Sequence, residues 1–198
     1  MRLARGTPAW LGWLWLLPAA PRKASGRLFF LFVAAAATWF FRDPPRRPAG
    51  PGLLAAADGS VSQVQERGDG RWVVSTYLNL ADVHVTRAPC DGTVLSQTHL
   101  RGKHRPAFRT SSRANERLDW LIATPRGELE LTQFAGTLAR RIVPYLAIGD
   151  TMRRGDRIGL IRFGSRVDLA LPAGVRPAVS VRDRVRAGAT TIEAVESP

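Results

Sequence analysis

Cysteine, histidine and lysine are all scarce in this chain of 198 residues, which has one cysteine, three histidines and two lysines. A lone Cys90 forms no intramolecular disulfide. A disulfide-stapled scaffold is therefore excluded, and a reducing compartment, or a membrane face turned toward one, is favoured. Three histidines and one cysteine are too few for an ordinary structural zinc site, so no metal is expected. A zinc endopeptidase of sandwich shape is set aside for the same reason. The chain shares Asp-Gly-x-Val turns with biotinyl and lipoyl carriers, but such carriers need a modifiable lysine at an exposed hairpin tip. Neither Lys23 nor Lys103 has that setting. Acidic residues are also few: 16 Asp and Glu against 29 Lys and Arg give a net charge of +13. That excess calls for a polyanionic partner, either nucleic acid or an anionic membrane.

The residues around the arginines decide between the two. Residues 1–50 carry eight basic side chains against Asp43 alone, so about half of the excess lies in the first quarter. Two apolar runs fill this region, Trp10 to Leu17 and Leu28 to Phe41, separated by a stretch with Arg22 and Lys23. The second run has 14 residues, roughly 21 Å as a helix, short of a hydrocarbon core of about 30 Å. Trp39 and Arg42 at one end and Arg27 at the other suit a headgroup layer. Residues 1–41 are expected to form a membrane anchor. Two short helices within 10–41 would dip into one leaflet or make a shallow hairpin. A cleaved signal peptide fits less well, because the start is long and Trp-rich and lacks a small-x-small cleavage site. Nucleic acid is not an expected partner, since the aromatics sit in apolar runs rather than between base-reading polar groups. Residues 42–52 hold four prolines and two glycines, cannot continue a helix, and read as a linker to a separate domain over 53–198.

That domain reads as mainly β, a sandwich or barrel-sandwich. Short apolar or alternating segments at 71–78, 93–97, 117–124, 128–134, 140–147 and 157–163 are each bounded by turn signals. No long stretch of helical period appears after residue 52. Asp58-Gly-Ser-Val61 is echoed 33 residues later by Asp91-Gly-Thr-Val94, a pattern that suits two similar hairpin units.

Four stretches carry a family resemblance. They are Phe40-Phe-Arg-Asp-Pro-Pro-Arg46 followed by Ala57-Asp58-Gly59; Asp82-Val-His-Val-Thr-Arg-Ala-Pro89 with Asp91-Gly92; Asn115-Glu116-Arg117; and Gln133 to Val143 leading through Gly149-Asp150 to Phe163-Gly164-Ser165. In order and spacing the chain resembles the phosphatidylserine decarboxylase family, in its short bacterial and archaeal branch.

The resemblance implies a self-processing enzyme. The Gly164–Ser165 bond would break by an N-to-O acyl shift and elimination, leaving fragments of 164 and 34 residues held together as a heterodimer. Ser165 would become a covalent pyruvoyl group, the only cofactor. Its ketone would form a Schiff base with the amine of a phospholipid serine headgroup and take up the electrons left by carbon dioxide. His84 would then serve as general acid or base, and Asp58 would orient or charge-balance self-cleavage. The chain departs from the family pattern where better-known members have a second histidine three residues after the first. Here that position is Arg87, a poor general base that stays protonated. Arg87 is instead expected to hold an anionic group of the substrate. The expected site is the cell membrane, with the catalytic domain on its cytoplasmic side. The alternatives are a decarboxylase for another serine-headed phospholipid, such as the ether-linked archaeal kind, and a non-enzymatic basic membrane adaptor.

Overall fold

A computed structural model describes residues 2–19, 23–102, 115–136, 141–162 and 165–194. The chain divides into two units, residues 1–44 and 45–198.

In the first unit the apolar runs form helices. Trp10–Leu14 is α1, a 3-10 turn covers Leu17–Ala19, and Ala24–Phe40 is α2. The second helix begins four residues ahead of the apolar run. It stops before Pro44 and Pro45, which cannot continue it. Its 17 residues span about 26 Å. No described helix is long and apolar enough to cross a membrane. The indole Nε1 of Trp15 donates to Thr38 Oγ1 at 3.0 Å, tying α1 to α2. The first residues return along the end of α2, with Ala4 N–H on the Phe41 carbonyl and Asp43 N–H on the Arg2 carbonyl, both at 2.8 Å. The unit leaves Trp13, Trp15, Leu28, Phe29 and Phe32 exposed, Trp13 and Phe32 to about 70%. This is the reverse of a water-facing helix pair.

The second unit is built from eleven described strands: β1 Gly59–Glu66, β2 Trp72–Leu78, β3 Val85–Arg87, β4 Gly92–Leu100, β5 Arg117–Thr124, β6 Gly127–Ala135, β7 Arg141–Pro144, β8 Thr151–Met152, β9 Arg157–Arg162, β10 Ser165–Ala170 and β11 Arg184–Val185. An eight-stranded sheet runs β11-β1-β2-β10-β6-β5-β4-β8, and a three-stranded sheet runs β3-β9-β7. All of the described pairings are antiparallel. Alternation buries one side of each strand: Leu129, Leu131 and Gln133 of β6 face in, as do Val167 and Leu169 of β10. Ile142 and Ile161 from the smaller sheet share this core with Trp120, Ile122 and Leu131 from the larger one. A polar pin crosses it. Gln133 Nε2 donates to Thr86 Oγ1 at 2.8 Å, and Gln133 Oε1 accepts from Trp120 Nε1 at 2.9 Å.

The Asp-Gly echo marks an internal repeat. Gly59 and Ser60 pair with Val185 and Arg184, while Gly92 and Thr93 pair with Met152 and Thr151. Each strand is then interrupted at the same place, after Val61 in β1 and after Val94 in β4. Val61 exchanges main-chain hydrogen bonds with Asp183 and Arg182, and Val94 does so with Asp150 and Gly149. The Asp183 and Asp150 carboxylates each accept a main-chain N–H three residues back, from Ser180 and Ala147, at 2.8 Å. The partners on both arms are offset by 33 residues, which makes the sheet two similar halves meeting at β10 and β6.

All six expected segments contain a strand, but only 117–124 keeps both of its expected ends. Strand β7 ends at Pro144, which has no N–H to give the ladder. Residue 140, the expected start of that strand, and Phe163, the expected end of β9, lie outside the described residues.

Candidate active site

Strand β10 begins at Ser165, with Leu78 of β2 on one side and Ala135 of β6 on the other. Gly164 lies outside the described residues, and only the backbone of Ser165 is described. Ala135 turns both main-chain groups away from β10. Its N–H donates to the Glu116 carbonyl at 2.9 Å, and its carbonyl accepts from Asn115 Nδ2 at 2.8 Å. In an antiparallel ladder the two main-chain groups of a residue point to one side, so residue 165 directs its own toward β2. The amide nitrogen at the Gly-Ser step is thereby held on a central strand. Asn115 is 1% exposed and anchors that wall. This gives a role to the Asn115-Glu116-Arg117 stretch that the sequence alone left unread.

His84 precedes β3, and its carbonyl accepts from Ile161 N–H at 3.1 Å. The imidazole is wholly buried, with Nδ1 2.9 Å from the Asp82 carbonyl oxygen. A carbonyl only accepts, so this contact assigns the proton of the neutral ring to Nδ1 and makes Nε2 the basic atom. His84 and Thr86 are two residues apart and share a face, and Thr86 is pinned to Gln133 of β6. Gln133 lies two residues before Ala135, the partner of Ser165.

Asp58 stands just ahead of β1. Ser60 pairs with Tyr77, the neighbour of Leu78, so Asp58 and residue 165 flank the same end of β2. They are two strand spacings apart, about 10 Å. The buried Asp58 carboxylate accepts from Arg46 Nη2 at 2.6 Å and from Ala187 N–H at 2.7 Å, and the Val83 N–H also reaches it. Burial pushes this carboxyl above its ordinary value; the Arg46 charge and the Ala187 N–H pull against it, and the Asp82 charge adds to the rise. Asp82 in turn accepts from Arg184 Nη2 at 2.6 Å and from Asn79 N–H at 2.8 Å, which fixes the turn carrying His84.

The structure brings Asp58, His84 and Ser165 to one end of the second unit, but not Arg87. In the β3–β9 pair, Arg87 faces Arg157 while His84 lies at the Ile161 end, nearest Ser165. Arg87 is 4% exposed, and its Nη1 donates to the Gly155 carbonyl at 3.0 Å. It also crowds Gly188, where an added Cβ would meet Arg87 Cδ at 2.6 Å. Its described contacts are thus with these two turns. Arg46, Asp82 and Asn115 are the site residues that sequence reasoning missed. All three lie within the family-like stretches, but their neighbours across the fold are not visible in a linear motif.

A cavity of about 570 Å³ lies elsewhere, lined by Arg67, Asp119, Thr132, Phe134 and Asp168. Thr132 and Phe134 alternate with the core-facing residues of β6, so this hollow is on the outer face.

The surroundings of residue 165 fit a carbonyl prosthetic group made from its own backbone. The residue is held on a strand between buried Leu78 and Ala135, with a buried imidazole at the same end. A sequence model of the phosphatidylserine decarboxylase family matches residues 33–193. A phosphatidylserine decarboxylase proenzyme of Thermobifida fusca (strain YX) is 44% identical over 97% of this chain and 92% of its own length. One from Streptomyces griseus is 43% identical over 98% of this chain and 94% of its own length. A relative from Methanococcoides burtonii, 44% identical over 82% of this chain and 76% of its own length, carries the provisional name archaetidylserine decarboxylase proenzyme. The match runs through both units and covers every residue placed around Ser165, so the chain belongs to the phosphatidylserine decarboxylase family.

Proposed function

We propose that this protein converts phosphatidylserine to phosphatidylethanolamine, using a pyruvoyl group that it makes from its own Ser165. The observation that carries the reading is the position of Ser165, the first residue of a central strand, at the same end of the fold as buried His84 and Asp58. In self-processing, the Ser165 hydroxyl attacks the Gly164 carbonyl, and the amide becomes an ester. Removing the Ser165 α-proton expels the Gly164 carboxylate and leaves a carbon–carbon double bond. Water then releases the nitrogen as ammonia and leaves the ketone. Asp58 beside Arg46, and His84, are the acidic and imidazole groups at this end, and they support the proton movements.

The pyruvoyl group supplies a ketone that condenses with an amine and a carbonyl that accepts the electrons released with carbon dioxide. The chain's own residues do the rest. His84 carries the proton that replaces carbon dioxide. The Asp82 carbonyl on Nδ1–H stabilises the imidazolium when Nε2 is protonated. Leu78 and Ala135 keep water from the reacting carbon. Acyl tails are favoured over archaeal ether tails, because the bacterial relatives align over 92–94% of their length and the archaeal one over 76%. The exposed Trp, Phe and Leu side chains of α1 and α2, with arginines beside them, support a membrane-attached unit lying in the headgroup layer. The catalytic unit then faces the cytoplasm.

Denaturing electrophoresis tests this reading. The purified protein is expected as two polypeptides, the smaller beginning at residue 165 with a blocked N-terminus that reacts with hydrazines. Ser165→Ala is expected to remain one inactive chain. A wild-type protein that decarboxylates the lipid as a single intact chain overturns the proposal.

A further inference from the structure

Three turns of the second unit share one build. In 147–150, 153–156 and 180–183 the carboxylate of the closing aspartate accepts the N–H of the first residue at 2.8 Å. The third residue of each turn has a positive φ: 89° at Gly149, 88° at Gly155 and 81° at Arg182. Arg182 is the one non-glycine residue with positive φ among the described residues. Glycine adopts this conformation freely, whereas the Cβ of an L residue opposes it. An arginine held there against its backbone preference points to a use for its side chain.

Arg182 opens a basic segment in which Arg182, Arg184 and Arg186 are all exposed. Arg184 Nη2 donates to the Asp82 carboxylate at 2.6 Å. That bridge joins the segment to the turn at 79–82, which follows Leu78, the strand partner of Ser165. Leu80 and Val181, the second residues of the two turns, are each about half exposed. Apolar tips flanked by arginines have the make-up of a headgroup-layer contact. The tips enter the acyl boundary and the guanidinium groups meet phosphate. Arg184 offsets Asp82, Arg46 offsets Asp58, and the Asp183 carboxylate is turned onto the Ser180 N–H. Arg182 and Arg186 are the charges left to a partner.

The position of the segment agrees. Arg184 pairs with Ser60, Ser60 with Tyr77, and Tyr77 with Arg166, the neighbour of Ser165. The segment therefore lies at the corner where the β11 edge meets the end carrying Asp58, His84 and Ser165. A lipid headgroup is tethered to its bilayer, so a site that works on it turns this end to the surface. The opposite corner supplies an internal control. Its rows run from Thr151 through Thr93 and Ala123 to Glu128, away from Ala135. There the 33-residue echo keeps an exposed Ile148 but has Gly149 and Thr151 in place of Arg182 and Arg184.

We propose that this corner, with Leu80, Val181, Arg182, Arg184 and Arg186, docks the catalytic unit on an anionic lipid surface. This rests on the decarboxylase reading above, and it gives the second unit a surface contact of its own. The substrate headgroup carries a net negative charge and the product headgroup carries none. Turnover thus removes the charge that holds the corner, and the contact favours patches still rich in substrate.

Binding is tested by co-sedimentation of the full chain on a Ser165→Ala background, which leaves the lipid unchanged. The vesicles are phosphatidylcholine alone or mixed with phosphatidylserine, phosphatidylglycerol or phosphatidylethanolamine. Arg182→Gly and Arg186→Gln are each expected to weaken binding to both anionic mixtures about 3- to 10-fold, an effect that fades as salt rises. Binding to the neutral mixtures stays as in the parent. The urea midpoint of Arg182→Gly is expected at or above that of the parent, because the strained backbone is relieved. In the self-cleaving chain, both variants lose turnover on vesicles in step with binding. They keep it on a short-chain phosphatidylserine below its micelle-forming concentration. Unchanged binding to the anionic mixtures in the double variant overturns the docking corner. A lower urea midpoint for Arg182→Gly, or equal losses on vesicles and on the soluble lipid, makes these arginines structural and overturns it as well. Binding lost on phosphatidylserine but kept on phosphatidylglycerol replaces the surface contact with a headgroup site. If wild type does not decarboxylate phosphatidylserine, the decarboxylase reading fails, and the binding comparison still decides the corner.

Discussion

A histidine with no exposed surface has given up its hydration, and it keeps a useful basic atom only if the other ring nitrogen is satisfied. His84 meets that condition through the Asp82 carbonyl. Replacing His84 by alanine leaves a void and an unpaired carbonyl, so His84→Gln is the better companion variant. Both are expected to lower decarboxylation about 10²- to 10⁴-fold, measured per mole of pyruvoyl group trapped with borohydride. Near-normal activity on that basis would transfer the proton role to Asp58 or to water. The sequence made His84 legible as a motif residue, but not its tautomer, which depends on a turn held by Arg184 from the far end of the chain. Asp58 was legible in the same way, whereas its partner Arg46 sits in a proline-rich stretch whose composition says only that it is not helical. Arg87 shows the opposite difficulty. An arginine at a histidine position invites a ligand, yet this one is buried, with its guanidinium on the Gly155 carbonyl and its stem against Gly188.

At the scale of the element, the two halves of the large sheet begin on glycines for a steric reason. A Cβ at Gly59 would lie 2.1 Å from the Tyr77 carbonyl oxygen, and one at Gly92 would lie 2.6 Å from that of Ala123. Neither neighbour can move without opening a ladder. Gly59→Ala and Gly92→Ala are each expected to cost at least about 3 kcal/mol. Gly70→Ala, at φ 76 with nothing within 4 Å, is expected to cost about 1 kcal/mol. Urea midpoints on a Ser165→Ala background, which keeps one chain, would show this ranking, and equal midpoints would remove the steric argument. The longer strands were readable because Leu118, Trp120 and Ile122, or Leu129 and Leu131, alternate toward the core. Strand β1 was not, because it offers only Val61 and Val64 and its interruption after Val61 breaks the period of two. Strands β8 and β11 have two residues each and carry no period at all. Their existence is implied only by the 33-residue echo, whose second arm has aspartates at 150 and 183 but a glycine at 149 against Arg182.

At the scale of the whole molecule, the proposed reading assigns the membrane anchor to the first of the two units and the chemistry to the second. A protein beginning at Pro45 keeps every strand and every residue placed around Ser165, so it is expected to cleave itself at the normal rate. It is expected to bind anionic vesicles far more weakly than the full chain in co-sedimentation, and salt will weaken the remainder through its surviving arginines. Equal binding by both proteins would assign the membrane contact to the second unit. The position of β10 has a different consequence. This strand lies between β2 and β6, and β11 on the same downstream segment closes the edge of β1. A cut before Ser165 therefore severs the chain at the centre of the sheet, not in a peripheral loop. Before the cut, both segments meet at the high effective concentration of a single chain. After such a cut, segments that had come apart would meet only by diffusion, and on the pyruvoyl reading the serine needed to repeat the reaction would be gone. Denaturation of a protein cleaved there is then expected to show hysteresis. The path out of the fold would end in two molecules where the path in began from one, so the lifetime of such an enzyme would be set by how slowly that central strand lets go.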